Sequence, residues 1–163
     1  MNAPHLKIIG EVETPAELSV ADLAKLPADC QIPDVSQLDD QRKGRGVWLA
    51  GLISAVGPSQ GVSYLTLHAS ADDFHASLPL EKIRDRSFLI YELEGQPLPA
   101  NAGGPFRFAI IDSAACQTAE IDDCANVKFV DCMEFSTAKG RDSRPNSASE
   151  HAALHADDHK HAE

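Results

Sequence analysis

Short apolar runs alternate with polar and turn-forming clusters along most of this chain. Residues 6–12, LKIIGEV, read as a first strand of β-branched and apolar positions, broken by Thr14-Pro15. Ser19 then reads as a helix N-cap for VADLAKL, with Leu23 and Leu26 on one face, Asp22 at the third helical position and Pro27 as the stop. Residues 30–38, CQIPDVSQL, predict a weak strand that Pro33 confines to an edge or a bulge. Residues 46–56, GVWLAGLISAV, start extended and become a short apolar helix ending at Gly57-Pro58. Residues 62–67 and 74–80 predict paired strands around the turn Ala71-Asp72-Asp73. A helical turn over 81–86 leads to FLIYEL at 88–93, a buried strand that turns at Glu94-Gly95. Two more apolar runs, 106–111 and 127–135, flank a cysteine-bearing loop, and the first follows a turn at 99–105 that contains Gly103-Gly104.

Strands are many, and helices are too few and too short for repeated βαβ units. The expected class is α+β, with a mixed or largely antiparallel sheet. From Ser136 on, large apolar residues almost vanish. A globular domain is therefore expected over 1–136, and a disordered, His-rich, acidic tail over 137–163. In that tail His151, His155 and His159 are spaced four apart near Asp157 and Asp158. A solvated segment and a weak transition-metal set are both open.

With 163 residues the chain is long enough for one domain with a real core. Its 25 acidic against 14 basic residues give a net charge of −11. That balance disfavours a nucleic-acid or anionic-membrane partner, which needs a basic surface. It leaves room for one phosphate group, because charges screen over about 8 Å at physiological salt. No apolar run approaches the roughly 20 residues of a membrane span, and MNAPHLKIIGEVETP lacks a secretory signal pattern. The expected location is cytoplasmic.

The candidate chemistry is dispersed. The loop DDQRKGRG, 39–46, carries Arg42, Lys43 and Arg45 and reads as a solvated turn or an anion contact. Trp48 reads as a core anchor before a binding platform. His68 and His75 flank the predicted hairpin turn, without an evident third metal ligand nearby. Of four cysteines, Cys30, Cys116, Cys124 and Cys132, none forms a CxxC pair. Cys116 and Cys124 bracket QTAEIDD, which leaves three readings open. They are a disulfide, a thiolate pair for a metal with Glu120, Asp122 or Asp123 in reach, and free thiols.

The order of elements resembles the oxidoreductase molybdopterin-binding domain, the fold of sulfite oxidase, over roughly residues 6–136. The resemblance rests on VADLAKLP, GVWLAGLI, ASLPLEK and YELEGQPLPANAGGPFRFAI followed by VKFVDCMEF. It is narrower toward small stand-alone bacterial members with an ACxTAExDxCANVK segment, here 115–128. The resemblance implies a molybdopterin cofactor, with its phosphate met by Arg45, Arg107 and Lys128 and approached closely by backbone at Gly103 and Gly104. It also implies a molybdenum-ligating cysteine shortly before the basic loop. Here that stretch is Asp34-Val35-Ser36-Gln37, and Cys30 comes several residues too early. A His common before the Gly-Gly-Pro turn is replaced by Ala102. The expectation is an oxidoreductase-like protein without the molybdenum thiolate, and so without catalysis. The alternatives are a cofactor-free binding or assembly module beside a redox partner protein, and a thiol or metal redox protein built on Cys116 and Cys124.

Overall fold

The structure, a computed structural model, describes residues 4–39, 42–111 and 127–143. Its strands are β1 (His5–Gly10), β2 (Ala16–Ser19), β3 (Gln31–Ile32), β4 (Arg45–Trp48), β5 (Tyr64–Ala69), β6 (Phe74–Pro79), β7 (Ser87–Leu93), β8 (Gln96–Pro97), β9 (Arg107–Ile110) and β10 (Cys132–Ser136). Its α-helices are α1 (Val20–Ala24), α2 (Leu49–Val56) and α3 (Leu80–Ile83). One sheet runs β2-β1-β10-β5-β6, and in it β1 and β10 are parallel. The second runs β3-β4-β7, with β8 and β9 sharing the other edge of β7. The expected α+β class with mixed sheets is what is observed.

The two sheets enclose the main core. Leu6 and Ile8 of β1, Leu65 and Leu67 of β5, Met133 and Phe135 of β10, and Leu89, Tyr91 and Phe108 of the second sheet are all buried there. These positions alternate along their strands, so a one-residue slip would expose every inward residue at once. At ~1.5–3 kcal/mol per buried large side chain, that penalty fixes the register. The outer face of the second sheet carries a smaller cluster, Ile32, Val35, Phe88, Ile90, Leu98 and Ala109.

Local signals account for α1. Ser19 Oγ accepts from Asp22 N at 3.1 Å, and Asp22 Oδ2 accepts from Ser19 N at 3.0 Å. Asp22 is held below the usual carboxylate range by these bonds, the backbone one first. At the far end Gln31 Nε2 donates to the carbonyls of Leu23 and Leu26, and Gln31 Oε1 accepts from Tyr91 Oη at 2.7 Å. The helix α2 ends at Gly57, whose φ of 62° is the left-handed stop that glycine permits.

One expectation is corrected. Residues 30–38 are not one strand: only Gln31–Ile32 pair, and Val35–Gln37 form a 3-10 turn that Asp34 caps beyond Pro33. The apolar run 127–135 is divided between the two sheets. Val127 and Val130 bond to Phe108 and Phe106 beside β9, and Cys132–Ser136 pair in the other sheet. The chain changes sheets after Phe129, which has a φ of 61°. Finally, packed chain continues past 136. Gly140 N donates to Ser77 Oγ, Ser77 N to Asp142, and Ser143 N to the His75 carbonyl. Hydrogen bonds to β6, rather than apolar burial, hold residues 137–143. Among the described residues no helix is long and apolar enough to cross a membrane.

Candidate functional site

Ser36 and Arg45 meet in a cleft of about 680 Å³ beside β7, lined also by Asp34, Lys43, Glu92 and Glu94. The 3-10 turn forms here because Asp34 Oδ1 accepts both Ser36 N, at 3.0 Å, and Ser36 Oγ, at 2.6 Å. Those bonds, the hydroxyl first, hold Asp34 below the usual carboxylate range. Val35 N donates to the Gly44 carbonyl at 2.9 Å, which folds the basic loop back onto the turn. Gly44 has a φ of +116°, and a Cβ there would strike the Glu92 carbonyl. The register between β4 and β7 shifts at Arg45/Gly46, so Arg45 lies opposite Glu92 and is re-aimed into the cleft. Two bases, Lys43 and Arg45, thus face three carboxylates, and the cleft is not electropositive.

A second group is. Arg107 opens β9 opposite Ile90, which also pairs with Gly46, so it stands on the same sheet as Arg45. The Arg107 stem crosses Gly103, which has a φ of +98°. A Cβ at Gly103 would lie 2.9 Å from Arg107 Cδ and 3.3 Å from Lys128 Cγ. Phe129 N donates to the Gly103 carbonyl at 2.8 Å and seats Lys128 next to this turn. The Arg107 guanidinium donates from Nη1 to the Ala102 carbonyl at 3.4 Å. Burial pushes Arg107 below its ordinary value, Arg42 adds to the shift, and Asp39 opposes it. Arg42 itself bonds Asp39 at 2.9 Å. Among the described residues, Arg42 and Lys128 thus both lie near Arg107, with Asp39 as the acid that opposes them.

Among the described residues, the buried side-chain nitrogens without a hydrogen-bond partner are Arg45 Nε and Arg107 Nε. An unmet buried donor costs ~1–3 kcal/mol. Both nitrogens belong to arginines of one sheet, and each is a donor suited to an anion, the group an arginine fork recognises best.

The other predicted positions divide. Gly103 joins Arg107 and Lys128. Gly104 serves the loop itself, because a Cβ there would strike the Leu98 carbonyl of the same turn. Ala102 packs on the small outer cluster. Cys30 points away from the cleft, with its Sγ 2.7 Å from where a Cβ on Gly51 of α2 would sit. Cys132 stands in the first sheet opposite His68. Its thiol is pushed up to about 11, by burial first and then by Asp131 and Glu134. Neither thiol lines the cleft. Cys116 and Cys124, and the tail histidines, lie outside the described residues. Among the described residues no three His, Cys, Asp or Glu side chains are placed to hold a metal ion. The proximity of Arg42 to Arg107 was hidden in the sequence, where the two are far apart, and only the basic loop pointed to it.

A family model, the oxidoreductase molybdopterin binding domain, matches residues 2–140. The chain belongs to this family. A search of curated protein sequences finds no match. Among solved structures, the fold is similar to the sulfane dehydrogenase SoxCD from Paracoccus pantotrophus, with a TM-score of 0.59 at 19% identity. That match covers 83% of this chain and 39% of the SoxCD chain, so the molybdopterin-binding domain here spans about two-fifths of that longer protein.

Proposed function

We propose that this domain is a non-catalytic member of the molybdopterin-binding family that has kept the anion-holding side of the site. The observation that carries this reading is the unmet buried donor Arg107 Nε, next to Arg42 and Lys128, with a second unmet donor, Arg45 Nε, on the same sheet. These residues fit the phosphate end of a pterin ligand. Arg107 and Lys128 would hold it by charge, and Arg42 would shift from its bond to Asp39. When bound, such a cofactor supplies two-electron redox chemistry at its metal in active relatives.

The metal half does not fit. The stretch that resembles the family's thiolate position holds Ser36, whose hydroxyl donates to Asp34. A hydroxyl is a hard oxygen donor, unlike the soft thiolate that suits a sulfur-rich metal shell. The domain acts as a binding or assembly module beside a redox partner protein.

The test is titration of the purified protein with a phosphate-ended pterin, followed through the emission of Trp48, the single tryptophan. Trp48 packs on the same outer cluster as Ala102. Saturable binding is expected, weakened about tenfold or more by Arg107→Ala, as when a charge-assisted contact is lost. Lys82→Ala, on α3, should leave it unchanged. Binding insensitive to Arg107, or no binding at all, would overturn the proposal.

A further inference from the structure

Away from that site, four polar side chains form a chain across the outer face of the first sheet. His68 of β5 and His75 of β6 are directly opposite each other, with Nδ1 to Nδ1 at 2.7 Å. His68 Nε2 lies 3.0 Å from Glu134 Oε1, and His75 Nε2 lies 3.0 Å from Asp73 Oδ1. The rings meet nearly edge to face, at 70°. Protons can be counted from this geometry. Each carboxylate contact needs a hydrogen on Nε2, and the Nδ1···Nδ1 contact needs one and only one between the rings. Three protons shared over the two imidazoles would satisfy all three contacts.

His75 is also where the chain beyond β10 docks. Its N–H donates to Ser143 Oγ at 3.2 Å, and its carbonyl accepts Ser143 N at 2.7 Å. Its carboxylate partner, Asp73, also bonds Arg141 at 3.2 Å. Residues 137–143 cover Thr66 and Ser77, which are 1% and 0% exposed, and close the edge of β6.

We propose that the proton shared by His68 and His75 is a latch: with one proton between the rings residues 137–143 stay on β6, and a second proton releases them. With four protons, two N–H groups and two positive charges face each other across a hydrogen-bond distance, so the rings must part. His75 then shifts, and with it the backbone that pairs with Ser143. The remaining charged neighbours do not substitute for this. From β10, Glu134 and Cys132 face the pair, with Lys7 of β1 beyond Cys132 and Asp131 beside it on Ser70. From the turn come Asp72 and Asp73, and from the segment Arg141 and the ion pair Lys139–Asp142. Asp73 is held below the usual carboxylate range, by the His75 bond first and then by Arg141, so it stays ionised. Release exposes the β6 edge, with free backbone groups that a strand from another chain can pair with.

The test is amide hydrogen exchange by NMR on the full chain between about pH 8 and about pH 5, the span in which an imidazole ordinarily takes up a proton. Protection factors at Gly140 and Ser143 should fall about tenfold or more on acidification, the loss of one charge-assisted bond. Protection at Leu67 in the core should hold. Side-chain nitrogen spectra at the upper end should show three protons on the two rings. In His68→Leu the step at Gly140 and Ser143 should vanish. Flat protection in the wild type, a step that survives in His68→Leu, or two or four protons in the closed state would each overturn the latch. The proton count needs no variant, so it decides even if His68→Leu does not fold.

Discussion

Arg107 shows how one side chain reports on the site. Its stem is packed over Gly103 and its Nε is buried without an acceptor. Replacing it with leucine removes an unmet donor and keeps the apolar contact, so Arg107→Leu should change stability by less than about 1 kcal/mol while abolishing anion binding. Chemical denaturation of both forms checks this. Gly103→Ala is the opposite case. A φ of +98° and contacts of 2.9 and 3.3 Å leave no room for a methyl group, and a loss of about 1–3 kcal/mol is expected. The cysteines make a third case. Burial raises the thiols of both Cys30 and Cys132, the latter to about 11. Only the thiolate reacts, so Cys132 should resist alkylation in the native protein near pH 8 and react once denaturant is added. Labelling followed by peptide mapping checks this, and fast native labelling of Cys132 would contradict the burial. Arg107, Lys128 and Gly103 were legible as candidates because they sit at fixed offsets in a recognisable segment. The unmet Nε atoms were not, since they depend on neighbours far away in the chain.

Elements were legible where the signal is local. The Ser19–Asp22 capping box, the switch from strand to helix after Trp48 and the hairpin around Asp73 all follow from neighbouring residues. Ser19→Ala should cost about 1 kcal/mol in thermal or chemical unfolding. It should also flatten the acid side of the stability profile. Asp22 is depressed in the folded state, so its contribution is present above the ordinary carboxyl value and fades as pH falls through the folded one. Ser19→Ala removes the hydroxyl's share of this shift and keeps the larger backbone N–H share, so the flattening is partial. Elements defined by long-range pairing were illegible. Nothing within 127–135 marks the change of sheet after Phe129, because both halves are apolar and each is satisfied by strands distant in sequence. The turn at 35–37 hides for a related reason. Val35 looks like a strand residue, but its N–H is taken by Gly44 of the basic loop.

At the scale of the molecule, net charge and local charge point in different directions. The chain carries −11 overall, yet among the described residues Arg42 and Lys128 both lie near Arg107. Composition disfavours an extended polyanion as partner and says nothing about one phosphate. The same contrast holds for the end of the domain. Residues 137–143 look too polar to order, and they order through hydrogen bonds to β6 instead. The family match over 2–140 and the SoxCD-like fold fix the scaffold, and the proposal of a domain without metal rests on the Ser36 side chain. The central claim is that the pterin-holding half is present and the metal-holding half is missing. Its most direct test is the molar ratio of pterin and of molybdenum to protein, after expression in a host that makes the complete cofactor. Pterin bound in a defined ratio, with molybdenum at trace level, is the predicted result. Molybdenum at one per chain would contradict it.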